Sequence, residues 1–258
     1  MFQEKPAPSG EACPYRDETL VQHCGASQLT RYIPYSPAET TRCGSDAYRY
    51  CEAYRSITGH STDCEIVADG VRVMEGLYYA PNHMWLSLAQ SGQCHIGIDS
   101  LLARLLGRVD RISFLTVRGI QRPAAVVTVC GVDWPLVFPN PILLESADVH
   151  LRAQPSRIVS DPYGTGWLFN GWQPPGVPRE EMFSNLVNGR RAVAWMRDEM
   201  RRIVDHVMSL VAARSEGAPL LCDGGSLAEN TASLLRRDEL LSVLNEFFAP
   251  HGGWIRER

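Results

Sequence analysis

Lysine is almost missing from this chain: Lys5 is the only one among 258 residues, against 24 arginines. Chemistry that builds an amide on a lysine amine therefore has a single possible address. Long apolar runs are also missing. No stretch reaches the ~18 residues of a membrane span, so no membrane partner is expected. The first ten residues, polar and bearing Pro6 and Pro8, lack the basic-then-apolar order of a secretory leader. The expected location is the cytoplasm. A net charge of −4 and a pI near 6.0 leave no broad basic field, which argues against nucleic acid as a partner. No Ser/His/Asp set, P-loop or dinucleotide fingerprint stands out, so no catalytic residue is expected and the chain reads as a non-enzyme.

Hydrophobic residues at 45% and charged residues at 21% suffice for a sizeable core. Cysteine is unevenly spread. Cys13, Cys24, Cys43, Cys51 and Cys64 precede residue 65, while Cys94, Cys130 and Cys222 are scattered. Four thiolates from Cys13, Cys24, Cys43 and Cys51 can close a tetrahedral zinc site or hold an iron–sulfur cluster. Such a site would supply folding energy to a segment poor in aliphatics. The spacing has no Cys-x-x-Cys knuckle, and four unligated cysteines fit it as well. An iron–sulfur cluster there would make the chain a redox or electron-transfer protein.

The chain divides into three parts. Residues 1–65 form a Cys-rich, possible metal-binding segment. Residues 66–172 are rich in short β-type runs: Ile66–Val73, Trp85–Leu88, His95–Ile98, Arg111–Val117, Ala124–Val129 and Ile142–Leu144. One short helix is expected at Ser100–Leu106, capped by Asp99 and closed by Gly107. Many short strands with one small helix suggest a compact β-sandwich or barrel. Residues 173–258 are a helical extension. Val193, Met196, Met200, Ile203, Val204, Val207, Leu210 and Val211 recur at spacings of three and four. A second helical region is expected to open at Ser226 with Glu229 as its capping-box partner, continuing through Leu241, Leu244, Phe247 and Phe248. The expected class is α+β.

Three landmarks in the middle part carry a resemblance. They are Tyr79-Ala80-Pro81-Asn82-His83-Met84-Trp85-Leu86; then Ile96-Gly97-Ile98-Asp99 with Leu106-Gly107-Arg108-Val109; then Asp161-Pro162-Tyr163-Gly164-Thr165-Gly166-Trp167-Leu168. In this order and spacing they resemble the glycine cleavage system H-protein family, over a little more than a third of the chain. The last motif reads as a core-closing turn, with Gly164 and Gly166 permitting tight backbone and Trp167, Leu168 and Phe169 supplying bulk. His83 reads as a structural histidine, and His206 as a boundary residue.

The resemblance implies a small β domain with a lipoyl-lysine on a hairpin tip, within a Glu-Ser-Val-Lys-Ala run. Aligning backwards from Asp161-Pro162 matches Pro155 and Pro139 to family prolines and Val126-Val127 to the start of the carrier hairpin. The run then falls on Thr128, Val129, Cys130, Gly131 and Val132, so the lysine position is Gly131. No lysine follows Lys5, and an arginine guanidinium stays protonated and does not accept an acyl group. No lipoate is therefore expected. Cys130 is a nucleophilic type of residue beside that position, although a lone cysteine in an apolar strand is most often a small hydrophobe. The apolar run Asp133–Phe138 fits either a contact surface or a strand folded onto the C-terminal helices. The leading expectation is a non-lipoylated adaptor or regulatory protein with protein partners. A redox protein using the cysteines, or a decoy that binds glycine-cleavage partners, are the alternatives.

Overall fold

The computed structural model describes residues 64–68, 70–115, 118–213 and 227–249, with the isolated positions 22–23, 32–33, 43 and 48. Two short strands, β1 (Gln22–His23) and β2 (Tyr32–Ile33), pair antiparallel. Cys43 is exposed; Cys13, Cys24 and Cys51 lie outside the described residues, and so does Ser226.

The middle of the chain is built from β3 (Cys64–Ala68), β4 (Val71–Met74), β5 (Tyr78–Tyr79), β6 (Met84–Leu88), β7 (Gln93–Ile98), β8 (Arg111–Phe114), β9 (Gly119–Gln121), β10 (Ala124–Val129), β11 (Val132–Val137), β12 (Ile142–Ala147), β13 (Phe169–Trp172) and β14 (Val187–Asn188). An antiparallel seven-stranded sheet runs β14-β5-β6-β7-β13-β12-β9, and a three-stranded sheet runs β11-β10-β8. β3 and β4 form a separate hairpin. The two larger sheets share one core. β10 alternates, burying Ala125, Val127 and Val129, and β11 answers with Val132, Trp134 and Leu136. Phe114 of β8 meets Phe169 of β13 edge-on at 5.6 Å between ring centres, a favourable aromatic geometry. β6 and β7 are buried almost throughout, as expected of strands covered on both faces.

One expected strand, Ile66–Val73, is a hairpin instead. Ala68 pairs with Val71 across a two-residue connection, with Gly70 at φ +78°. The sequence signal was the Asp69-Gly70 dipeptide, a turn former that outweighs the run of β-branched residues around it. The helix α1 (Ser100–Leu106) occupies the expected residues. Asp99 caps it by accepting from the amides of Leu101 (3.0 Å) and Leu102 (2.9 Å). Gly107 closes it at φ +60° and cannot be larger, because a Cβ there would run into Asn230.

A four-residue helix, α2 (Arg157–Ser160), leads into the Asp161–Leu168 turn, and α3 (Arg179–Met182) leads into β14. Both terminal guanidinium nitrogens of Arg179 donate to β-domain carbonyls, Nη2 to Leu88 at 2.7 Å and Nη1 to Ala89 at 2.8 Å. The long helix α4 (Gly189–Ala212) buries Val193, Met196, Met200, Ile203, Val204, Val207 and Val211 against β3, β4 and β5. Leu210 is half-buried, and Arg190, Arg191, Arg197, Arg201 and Arg202 stay exposed. The last helix, α5 (Arg237–Phe247), packs on α4 and β11.

The helix expected from Ser226 and Glu229 does not form at Glu229. Residues 227–230 are loop and turn, and Asn230 adopts φ +58°, which ends any helical path. Glu229 pairs with Arg104 instead, at 3.2 Å. Half of a capping box sits ten residues later, where the Glu239 carboxylate accepts from the Arg236 amide at 2.7 Å; an arginine side chain has no acceptor with which to complete it. The architecture is α+β, with a β-rich middle and a helical C-terminal part.

Candidate functional site

The β10–β11 hairpin closes through a two-residue turn, Cys130-Gly131, between the paired residues Val129 and Val132. Both turn residues have positive φ, +50° for Cys130 and +71° for Gly131. Tight two-residue hairpins require this of both central residues. Gly131 takes it without penalty, whereas Cys130 carries a Cβ in a region that costs an ordinary residue roughly 1–2 kcal/mol. The turn is exposed at both positions, and a Cβ on Gly131 would meet nothing within 4 Å. The position assigned to the family's lysine is thus a solvent-facing hairpin tip without an amine.

Charged groups surround this tip. Arg108 pairs with Asp110 at 3.1 Å, and Arg111 with Asp133 at 3.5 Å. Thr128 donates its hydroxyl to Asp133 at 2.6 Å. That hydrogen bond, with Arg111 nearby, holds the Asp133 carboxyl below its ordinary range. The Cys130 thiol is pushed up, first by loss of solvent and then by the Asp110 charge, against the opposing pull of Arg108. A raised thiol has little thiolate at neutral pH and is a poor nucleophile. Neither turn residue fits an amide-linked lipoyl group, and the guanidinium groups beside them do not replace an amine.

The apolar run after the turn is a strand with one buried face, while Asp133 and Pro135 on its other face stay exposed. Its inward residues, Val132, Trp134 and Leu136, are buried, and α5 packs against the strand. The hairpin base is tied down further by Asn82, whose amide donates to the Val137 carbonyl at 2.8 Å. Beside it, Asn140 donates to the Met182 carbonyl at 2.7 Å.

His83 is structural in its setting. It is fully buried at φ +60°, with Nδ1 2.7 Å from the buried Asp99 carboxylate. Trp195 of α4 stacks on it at 4.8 Å and Phe248 lies at 4.9 Å. Its Nε2 is buried without a hydrogen-bond partner. Asn82 Oδ1, Trp134 Nε1 and Asn230 Oδ1 share that condition. His206 sits at the α4–α5 boundary, half-buried, 3.2 Å from the Ser242 hydroxyl.

The Asp161–Leu168 stretch is the expected core-closing turn, though its glycines serve a different purpose from tight dihedrals. Neither Gly164 nor Gly166 has positive φ. A Cβ on Gly164 would run into the Asp161 carboxylate, and one on Gly166 into the Arg157 carbonyl. The Asp161 carboxylate uses that space to accept from the Thr165 amide and hydroxyl. Tyr163, buried at the turn's centre, donates to the Arg72 carbonyl at 2.7 Å. Trp85 donates to the Pro162 carbonyl at 3.2 Å, and its indole lies over Gly97.

Among the described residues no group of three or more His, Cys, Asp or Glu side chains could hold a metal ion. No described helix is long and apolar enough to cross a membrane.

Comparison with known proteins points one way. The chain resembles glycine cleavage H proteins over about half its length. It is 24% identical over 140 residues to the probable glycine cleavage system H protein 2 of Saccharolobus solfataricus, covering 52% of this chain and 91% of that one. It is 27% identical over 137 residues to the corresponding protein of Sulfurisphaera tokodaii, covering 52% and 86%. Against glycine cleavage system H protein 5 of Aquifex aeolicus the figures are 29% over 106 residues, 40% and 70%. A solved H protein from Mycobacterium marinum aligns with 49% of this chain and 99% of its own, at 21% identity and a TM-score of 0.38. No family model matches the chain.

Sequence reasoning missed a polar cleft beside α1, where the β3–β4 hairpin, α2 and Glu229 converge. Its residues are separated by up to about 160 positions in the chain, and no local pattern connects them.

Proposed function

We propose that this chain is a non-catalytic adaptor or regulatory protein on an H-protein-like β domain, spanning residues 66–172, that does not carry lipoate. Residues 173–258 are its helical extension and residues 1–65 its Cys-rich segment. One observation carries the reading. The exposed hairpin turn where the resemblance puts the lipoyl-lysine is Cys130-Gly131, and the chain's one lysine is Lys5. What remains for such a domain is recognition of protein partners by its surface.

The test is intact-mass analysis after coexpression with a lipoate ligase and lipoate, on the parent and on Gly131→Lys. The parent is expected to keep its unmodified mass. Acylation of the variant would place the tip within reach of the ligase and leave the missing amine as the reason the parent is silent. A lipoyl adduct on the parent within residues 77–172 would refute the proposal.

A further inference from the structure

We propose that the cleft between the β3–β4 hairpin, α1 and α2 binds a small molecule through a carboxylate or phosphate group. This goes beyond the adaptor reading and does not depend on it. The cleft encloses about 360 Å³, within the range of about 300–1,000 Å³ usual for small-molecule sites. Its lining mixes polar and apolar surface and carries more positive than negative charge, with Arg72 and Arg104 against Glu229.

Arg72 is held in place from behind. Its amide donates to the Ser100 hydroxyl at 2.7 Å, and its carbonyl accepts from Ser100 at 2.8 Å and from Tyr163 at 2.7 Å. Ser100 and Tyr163 are both buried. The backbone at Arg72 is therefore fixed by three hydrogen bonds. Arg72 is among the residues that line the cleft, and its guanidinium has no hydrogen-bond or ion-pair partner among the described residues. A planar fork of five N–H donors on a fixed backbone suits a bidentate oxyanion.

Arg104 also lines the cleft. Its Nε donates to the Leu227 carbonyl at 2.8 Å, and its Nη1 reaches the Glu229 carboxylate at 3.2 Å. That carboxylate is 83% exposed, so a carboxylate from the chain's own surface already rests on one of the two guanidinium groups. Ser156 and Ser160 complete the rim. They are exposed, four residues apart, and neither hydroxyl has a partner among the described residues. Ser156 immediately precedes α2 and Ser160 ends it, one helical turn apart, and both hydroxyls can donate to an anion. Two arginines and two free hydroxyls around one cavity are the donor set of an oxyanion site.

Isothermal titration calorimetry with inorganic phosphate and with succinate, each against sodium chloride at matched ionic strength, tests the proposal on the full chain. Saturable binding of at least one probe, with a Kd below about 1 mM, is expected. Phosphate without succinate would assign the ligand group as a phosphate, and the reverse as a carboxylate. Arg72→Met, which keeps the apolar stem, should weaken binding at least tenfold. The surface pair Ser156→Ala/Ser160→Ala should weaken it severalfold, and this variant decides the matter if Arg72→Met does not fold. Glu229→Gln should tighten binding by releasing Arg104. No saturable binding of either probe overturns the proposal. So does an unchanged affinity in a folded Arg72→Met or in the serine pair.

Discussion

Replacing Asp99 with alanine should destabilise the protein more than any other single substitution at a polar position in the β domain. The carboxylate is fully buried and works in two directions. Oδ1 caps α1 through the amides of Leu101 and Leu102, and Oδ2 lies 2.7 Å from His83 Nδ1. Losing a helix N-cap costs about 0.5–2 kcal/mol. Leaving the imidazole Nδ1 buried and unpaired costs a further 1–3 kcal/mol or so, and here no compensation is at hand, because Nε2 already lacks a partner. The expected loss is about 2–5 kcal/mol, a large share of the roughly 5–15 kcal/mol by which domains are stable. Asp99→Asn keeps an oxygen for the cap and a polar contact to His83, and should lose only about 1–2 kcal/mol. Urea unfolding followed by tryptophan fluorescence reads both, since Trp195 stacks directly on His83. A loss below about 1 kcal/mol in Asp99→Ala, or equal losses in the two variants, would refute this account of the pair.

Three further outcomes can be measured. Gly97→Ala places a Cβ 2.6 Å from the Trp85 ring and should cost about 1–3 kcal/mol by overpacking; combining it with Trp85→Leu should give less than the sum of the single losses in urea unfolding, and strict additivity would count against the contact. Thr128→Val removes the hydrogen bond that chiefly holds the Asp133 carboxyl below its ordinary range, so its titration followed by NMR should move up. Because the folded value is depressed, this group's stabilising contribution is present above the ordinary value and fades as pH falls through the folded one; parent and variant should therefore converge in acid. Asp110→Asn removes a charge that raises the Cys130 thiol and should speed its alkylation by iodoacetamide, whereas an unchanged rate would place control of that thiol in burial alone.

Features that depend on neighbours in sequence were legible before the fold was known. Asp99, Ser100–Leu106 and Gly107 declare a helix with both ends because capping is a local matter of a few backbone groups. The β-branched Ala124–Val129 run declares a strand for the same reason, while its alternating burial comes from the fold. Errors arose where a local pattern had two solutions. Ser226 and Glu229 carry the letters of a capping box, whereas at Arg236 and Glu239 the carboxylate-to-amide bond forms without those letters. Tertiary contact chose between them, because Gly107 leaves room for Asn230 and Arg104 captures Glu229. At Gly164 and Gly166 the residue type was read correctly and its reason was not. The space they leave is filled by a carboxylate and a carbonyl, which no dihedral argument reveals.

The hairpin tip ties residue choice to backbone conformation. Two-residue turns with both φ values positive favour glycine at the second position, and Gly131 satisfies that demand. A lysine there would have to hold the same strained backbone that Cys130 already holds, at roughly 1–2 kcal/mol, so the tight turn and the absence of an amine are mutually consistent choices. The strand that follows is committed elsewhere: Trp134 turns inward, its indole nitrogen unpartnered, and α5 lies against β11. His83 makes the same commitment from the other side, buried between Asp99, Trp195 and Phe248. The C-terminal helices and the β domain thus share one apolar interior. Their contact is sealed by aromatic packing, and some of the polar atoms it covers go unsatisfied. Such atoms each cost about 1–3 kcal/mol, and the apolar surface buried by α4 and α5 has to exceed that cost for the helices to stay in place.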